Sequence, residues 1–266
     1  MRAKTMINGK KAFTLLELMV VVAVVALLAA LGSVAVHSAM DRASSAAEVS
    51  AGRSLVAALQ SAAADNGGRF PLAFDPAAQD VMDPQGKKIR MKQIRERYPF
   101  RLAPYFGYDI DGTLLVGKNK GQIMKAMNLP KPEGTMYYYG VSAFPSLGIN
   151  RHFVGGASAN STEAVKTVAQ GDHSIIAFAS AGTTEVEGYE YVRAPGAPGG
   201  AWGSGKWTEK SDPGNYGYVH PRHDGKAVVA FLDGSVKKMS LEELRDMRLW
   251  SRNAAINDDP NYAASE

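Results

Sequence analysis

Lys11-Ala12-Phe13-Thr14-Leu15-Leu16-Glu17 opens the segment that decides the fold, because residues 18–36 follow it without one charged side chain. As an α-helix, this uncharged run rises about 28 Å, close to the roughly 30 Å hydrocarbon core of a bilayer. The sequence therefore predicts a single-pass membrane helix within residues 13–38.

The residues before this run form a short basic leader, residues 1–12. Its charged residues are Arg2, Lys4, Lys10 and Lys11. Basic residues next to a membrane helix stay on the cytoplasmic side, so we expect a cytoplasmic N-terminus and an extracytoplasmic chain after about residue 38. A cleaved secretory signal peptide is the alternative, but its apolar core usually spans only about 7 to 15 residues.

Glu17 makes this segment more specialised than an ordinary anchor. A carboxylate inside a membrane helix costs about 2.5 to 3.5 kcal/mol on insertion scales, so it requires a partner. If the chain is cut between Ala12 and Phe13, the new amino group lies four residues from Glu17. In a bundle of helices, the amine of one subunit can then neutralise the carboxylate of its neighbour.

These residues resemble the prepilin signature of type IV pilins and type II secretion pseudopilins: a small residue, Phe, Thr, two apolar residues, Glu and an apolar helix. The resemblance implies cleavage by a prepilin peptidase after Ala12 and methylation of the new amine of Phe13. It also implies an inner-membrane protein that assembles with other pilin or pseudopilin subunits, aided by inner-membrane machinery, into a periplasmic or extracellular filament. Ala12 departs from the family, where Gly is usual.

Charge and cysteine content limit the remaining function classes. The chain carries a formal net charge of +4, and the four basic residues of the leader account for it. A processed chain near neutrality gives little support to nucleic acid as a partner, although the whole sequence is basic. Since the sequence has no Cys, a disulfide framework is excluded and the head must be stabilised by packing and hydrogen bonds.

The chain beyond the membrane predicts an α+β, pilin-like protein. The helix is expected to continue through residues 39–66, with Val49, Leu55 or Val56, Leu59, and Ala62 or Ala63 at helical spacing, and to end at a left-handed cap in Asn66-Gly67-Gly68. Residues 67–266 form a β-rich globular head in which an antiparallel sheet packs on this helix. The predicted strands are residues 113–116, 136–143, 174–179, 185–192 and 227–232, and the predicted short helices are 88–97 and 122–127.

A long surface loop is predicted at residues 194–215, which are rich in Gly and Pro. It contains Trp202 and Trp207, and we expect both rings to fold back on the head, the alternative being contact with a partner.

A second motif lies near the C-terminus, where nine residues separate His223 from Asp233-Gly234. Residues 227–232 read as a buried strand, Asp233-Gly234 as a type I′ hairpin turn, and the following residues as its partner strand. Ser240 and Glu243 then predict a capping box for a helix over residues 241–250. This spacing resembles a prepilin-type C-terminal domain of variable pilin-like proteins, named for its His, nine residues and Asp-Gly. The resemblance implies a pilin-type head but does not supply a biochemical activity; from the residues themselves we expect a structural role for His223, Asp233 and Gly234.

Two site hypotheses compete with a purely structural subunit. An anchored enzyme would use His220, His223, Asp224 and Asp233, but no nucleophile elbow, phosphate loop or paired metal-ligand motif accompanies them. A calcium site would use Asp109 and Asp111 or Asp258 and Asp259, although neither pair completes an EF-hand loop. We therefore predict no catalytic residues and no cofactor. An anchored binding module that never polymerises stays an alternative, and the sequence leaves open whether the filament is a pilus or a pseudopilus.

Overall fold

The computed structural model describes residues 15–156, 162–170, 174–200 and 202–265. The predicted cleavage site at Ala12 and Phe13 lies outside them, as do the side chains of residues 29–35, 37 and 38. The chain divides into two compact units, Met1–Ala43 and Ser44–Glu266.

Helix α1 runs through Leu15–Asp65 and enters both units. In the first unit every residue from 15 to 28 is exposed, and Glu17 is the acidic residue of the first turn. Among the residues that the structure describes, no helix has both the length and the apolar character needed to cross a membrane.

The second unit buries one stripe of α1 in the core of the head. The stripe recurs every three or four residues, as an amphipathic helix requires, and includes Ala51, Leu55, Leu59 and Ala62. The helix ends as predicted, since the Gly68 amide donates to the Ala63 carbonyl at 2.7 Å and Gly67 has a φ of 61°.

The head contains a five-stranded sheet in the described part of the chain, with strand order β3-β1-β2-β4-β5. The strands are β1 Leu147–Asn150, β2 Ile176–Ser180, β3 Tyr191–Val192, β4 Lys226–Phe231 and β5 Val236–Ser240. The α+β prediction is confirmed, but the sheet is mixed, because β3 pairs parallel to β1 while the other pairs are antiparallel.

Both faces of the sheet are buried. Successive residues of β4 point alternately to one face and the other, and both sets pack in a core. Val228 and Ala230 belong to the core that contains the α1 stripe, whereas Val229 belongs to a second core around the buried Trp250. The predicted strands at 174–179 and 227–232 correspond to β2, which is buried throughout, and to β4, which is buried except at Lys226.

Three predicted strands differ from the structure. Residues 136–143 lie in helix α5, Gly134–Ala143, where Tyr137 and Val141 bury one face at a spacing of four. Residues 113–116 overlap a π-helical turn, Ile110–Leu114, and only Tyr191–Val192 of 185–192 is a strand. Short apolar runs do not distinguish a strand from a buried helix, and here the packing decided.

The other helices lie outside the sheet. They are α2 Lys92–Glu96, α3 Tyr98–Leu102, α4 Asn119–Ala126 and α6 Arg252–Ile256. The prediction at 122–127 is confirmed by α4, whereas only residues 92–96 of the predicted helix 88–97 are helical, in α2. The predicted helix 241–250 is instead two short 3-10 turns, Glu243–Arg245 and Met247–Leu249, because Asp246 between them has an extended backbone.

The loop between β4 and β5 also differs in detail from its prediction. The Phe231 amide donates to the Ser235 carbonyl, and the Gly234 amide donates to the Phe231 carbonyl, both at 2.9 Å. These bonds enclose a three-residue loop with Gly234 at a φ of 83°, whereas a type I′ turn would also require positive φ at Asp233. The hairpin itself is confirmed.

Candidate functional site

The most concentrated polar cluster in the described chain joins α1 to the segment before β4. Glu48 occupies a position of the buried α1 stripe, three residues from Ser45 and Ala51. Arg222 and His223 lie just before β4, and Ser180 ends β2. We call these four residues, Glu48, Ser180, Arg222 and His223, the Glu48 cluster.

The Glu48 carboxylate accepts two hydrogen bonds on each oxygen. Its Oε1 accepts from Ser180 Oγ at 2.5 Å and from Arg222 Nη2 at 2.9 Å. Its Oε2 accepts from Arg222 Nε at 2.9 Å and from His223 Nε2 at 2.8 Å, which places a proton on that ring nitrogen because a carboxylate can only accept. All four lone-pair positions of the buried carboxylate are therefore used.

Arg222 likewise uses its full hydrogen-bonding capacity. Beyond Glu48, its Nη1 donates to the carbonyls of Ala181 at 2.9 Å and Glu187 at 3.2 Å, and its Nη2 donates to the Ser146 carbonyl at 2.5 Å. These bonds use all five N–H groups of the guanidinium. One side chain thus fastens α1 to three separate segments of the head.

The charges of the Glu48 cluster stabilise each other. Burial raises the pKa of Glu48, but the charge of Arg222 and the hydrogen bonds from His223 and Arg222 outweigh it and lower the pKa to about 2. Glu48 and Arg222 therefore form a buried ion pair at neutral pH. Removing one partner of such a pair typically costs about 3–5 kcal/mol, because the other charge remains buried without compensation.

His220 lies beside this cluster in a different electrostatic state. Burial and the nearby charge of Arg222 lower the pKa of His220 to about 4, so the ring is neutral at pH 7. Its Nδ1 is buried without a hydrogen-bond partner in the described structure, and its ring meets Trp207 edge-on at 5.4 Å between centroids. This contact is one of those that fold the 194–215 loop back on the head, as predicted.

Trp202, the other ring of that loop, also packs on the head. Its Nε1 donates to the Arg193 carbonyl at 2.9 Å, and its ring meets Trp250 at 6.0 Å. Both tryptophans therefore contribute to the second core rather than to a free surface.

The predicted C-terminal motif does not form one site. His223 is 7% exposed and bound to Glu48, whereas Asp233 Oδ1 accepts the Ser235 amide at 2.8 Å in the hairpin loop. The six residues of β4 rise about 20 Å between them. The competing set of His220, His223, Asp224 and Asp233 is therefore not brought together, since Asp224 is an exposed turn residue with a φ of 53°.

The weak metal candidates have other partners. Asp109 Oδ1 accepts the Gly112 amide at 3.1 Å, and Asp111 pairs with Lys120 at 2.7 Å. Asp258 and Asp259 likewise bind a neighbouring guanidinium and a backbone amide. Within the described ranges, no three His, Cys, Asp or Glu side chains are grouped so that they could hold a metal ion.

Sequence reasoning missed Glu48 and Arg222. The sequence did contain a signal for Glu48. Its position falls at helical spacing from Ser45, Leu55 and Leu59, on the face of α1 that must be buried, and a lone carboxylate there requires a partner. No local pattern links it to Arg222, which lies 174 residues away.

Comparison with known proteins bears on the N-terminal segment. Residues 7–33 match a family model described as the prokaryotic N-terminal methylation motif. No curated protein and no solved structure matches the chain. The matched residues contain Ala12, Phe13 and Glu17 together with most of the uncharged run, and the motif indicates an inner-membrane-anchored protein. The chain therefore carries a prepilin methylation motif at residues 7–33, and this match supports a type IV pilin-like or pseudopilin-like protein.

Proposed function

We propose that the protein is a subunit of a type IV pilus-like or type II secretion pseudopilus filament, cleaved before Phe13 and methylated there. The match of residues 7–33 to the methylation motif carries this proposal. Its direct partners are the prepilin peptidase, other pilin or pseudopilin subunits and the inner-membrane assembly machinery.

The exposed first part of α1 supports a role in assembly. Large apolar side chains such as Leu18, Val22 and Leu28 are at least 60% exposed, and residues 18–28 carry no polar side chain. A helix that is apolar all round requires an apolar environment on every side. Lipid supplies it before assembly, and the helices of neighbouring subunits supply it in a filament.

We assign to Glu17 the role of fixing the axial register between neighbouring helices in the filament. In a packed bundle, the amine of Phe13 of one subunit pairs with Glu17 of the next, because an unpaired carboxylate at that depth would be costly. The head performs no catalytic step in this proposal. The Glu48 cluster keeps α1 attached to the head while the first part of the helix packs with its neighbours.

The first experiment is the N-terminal sequence and intact mass of the protein from membranes of its own host. We expect a chain that begins at methylated Phe13. A chain that still begins at Met1, or one cut near Ser38, would contradict the proposal and favour an anchored binding module or a secreted protein.

The second experiment replaces Glu17 with Val. We expect membrane insertion and processing to continue while incorporation into sheared filaments is lost. Asp41→Asn is the matched control, because it changes an exposed carboxylate of the same helix. Normal incorporation of the Glu17→Val chain would contradict the assigned register.

A further inference from the structure

A surface groove of about 680 Å³ lies between residues 83–94 and the start of α5. Its apolar lining comes from Ile89, Met91, Ile94 and Tyr138, of which Ile89 and Ile94 are buried. This volume is within the range of about 300–1,000 Å³ that is typical of ligand pockets. The groove is therefore large enough for a few residues of a partner chain.

The rim of the groove is cationic. Three of the residues that line it, Lys87, Lys88 and Arg90, are basic. Lys87 and Arg90 are exposed and have no acidic partner among the described residues. Lys88 pairs with Asp80 at 2.5 Å, but both side chains are at least half exposed, and such surface pairs exchange at little cost.

Two acidic residues, Asp83 and Glu133, also line the groove, so three positive and two negative charges leave its lining net positive by one. Asp83 Oδ1 accepts the backbone amides of Gln85 and Lys87 at 3.0 and 2.8 Å, which holds this carboxylate in its own turn. Glu133 forms a close ion pair with Lys131. The groove thus combines an apolar floor with cations that are available to a partner.

A complementary surface lies at residues 256–259 of the same chain. Ile256 is 59% exposed, although it is a large apolar residue, and Asp258 has an 84% exposed side chain. Asp258 shares the guanidinium of Arg248 with Asp246, so one positive charge faces two carboxylates. Asp259 adds a further acid. This segment therefore presents an apolar side chain beside net negative charge.

We propose that the groove binds residues 256–259 of a second copy of this chain. Ile256 packs on the apolar floor, and Asp258 and Asp259 face Lys87, Lys88 and Arg90. Because the groove and the segment are different surfaces, the contact is heterologous and can repeat from copy to copy in an open array. The inference rests on the proposed filament function and specifies one contact between heads.

Cysteine crosslinking in the full-length protein tests the contact, since the natural sequence has no Cys. One copy carries Thr135→Cys at the exposed edge of the groove, and a co-expressed copy carries Asn257→Cys. We expect a disulfide-linked dimer after mild oxidation of host membranes or sheared filaments. A pairing of Asn257→Cys with Lys210→Cys, outside the groove, serves as the background.

Charge reversal supplies the decisive comparison. Lys87→Glu with Lys88→Glu should lower the crosslinking yield by about fivefold or more, because like charges then face each other. Adding Asp258→Lys and Asp259→Lys to the partner copy should restore it. Lys237→Glu with Lys238→Glu, an equal charge change on exposed residues of β5, should leave the yield unchanged. Thermal unfolding of each variant checks that the head is folded.

The N-terminal sequence of the same samples separates this inference from the proposed function. A chain processed at Phe13 and present in filaments, but without the Thr135–Asn257 crosslink, would overturn the contact alone. A failure of the charge swap to restore the crosslink would also overturn it. An unprocessed chain that still crosslinks would overturn the filament proposal and leave the contact standing.

Discussion

Residues 15–28 and residues 45–63 belong to the same helix, yet they meet their surroundings in opposite ways. The first region is exposed on every side and apolar throughout except for Glu17. The second buries one stripe and leaves small or polar residues such as Ser50, Arg53 and Gln60 exposed. The two parts of this helix therefore suit two different environments. The second part packs in the interior of the folded head, and we propose that the first part packs in lipid or against other helices.

Each region also carries a carboxylate in an apolar setting. Glu48 receives four hydrogen bonds from Ser180, Arg222 and His223 within the head. For Glu17 we propose the terminal amine of a neighbouring subunit. Changes near Glu48 should therefore alter stability, whereas changes near Glu17 should alter assembly.

Arg222→Ala should have the largest effect on this comparison. It leaves the buried Glu48 without its main counter-charge, so we expect the free energy of unfolding of the detergent-solubilised chain to fall by about 3–5 kcal/mol. Glu48→Leu combined with Arg222→Met should regain much of the loss, because no charge then remains buried. Denaturant unfolding followed by tryptophan fluorescence measures both; a double variant no better than Arg222→Ala would contradict the role of the ion pair.

Acid should weaken the head through the same cluster. Since the pKa of Glu48 is lowered from 4.5 to about 2 on folding, its contribution is present above pH 4.5 and is lost as the pH falls towards 2. The loss amounts to about 3 kcal/mol. The pKa of His220 is lowered from 6.5 to about 4, so a first loss of stability occurs as the pH falls from 6.5 to 4.

Unfolding measured between pH 7 and pH 2 separates these two groups. Glu48→Gln should remove the loss below pH 4.5 and keep the one above it, whereas His220→Asn should do the reverse. An identical pH profile for Glu48→Gln and the natural chain would show that the carboxylate is not the acid-sensitive group.

Ser180→Ala should have a smaller effect. It removes one donor to Glu48 and the hydroxyl that accepts the Val228 amide at 2.7 Å, while the ion pair with Arg222 remains. Hydrogen bonds to charged groups contribute about 1.5–3 kcal/mol, so we expect a loss near 2 kcal/mol in the same denaturant experiment. Ser50→Ala, on the exposed face of α1, is the control and should change little.

Glu17→Val should have the smallest effect on head stability. Because Glu17 lies in a different compact unit from the head, we expect the free energy of unfolding to change by less than about 0.5 kcal/mol. A substantial change in head unfolding would show that the two carboxylates are not separate in function.

Two short-range signals, the helix cap and the capping box, were predicted correctly, whereas the type of the Asp233-Gly234 turn was not. The cap at Asn66-Gly67-Gly68 formed because glycine readily adopts positive φ. The capping box also formed: Ser240 Oγ donates to Glu243 at 2.9 Å, and the Glu243 amide donates back to Ser240 at 3.3 Å. The β4–β5 hairpin and the buried strand β2 likewise follow from local turn residues and apolar runs.

The tertiary structure decided what those local signals leave open. Residues 136–143 are apolar enough for a strand, but they fold as α5 because Tyr137 and Val141 find the core on one helical face. The role of His223 depended on Glu48, which lies 175 residues away.

The sequence by itself determined the apolar segment, its basic leader, the prepilin motif and the helix cap, since each depends on neighbouring residues. Only the tertiary structure decided that Glu48 pairs with Arg222 and His223. That pairing is a property of packing, because a buried carboxylate is stable only where the fold brings donors from distant segments to both of its oxygens.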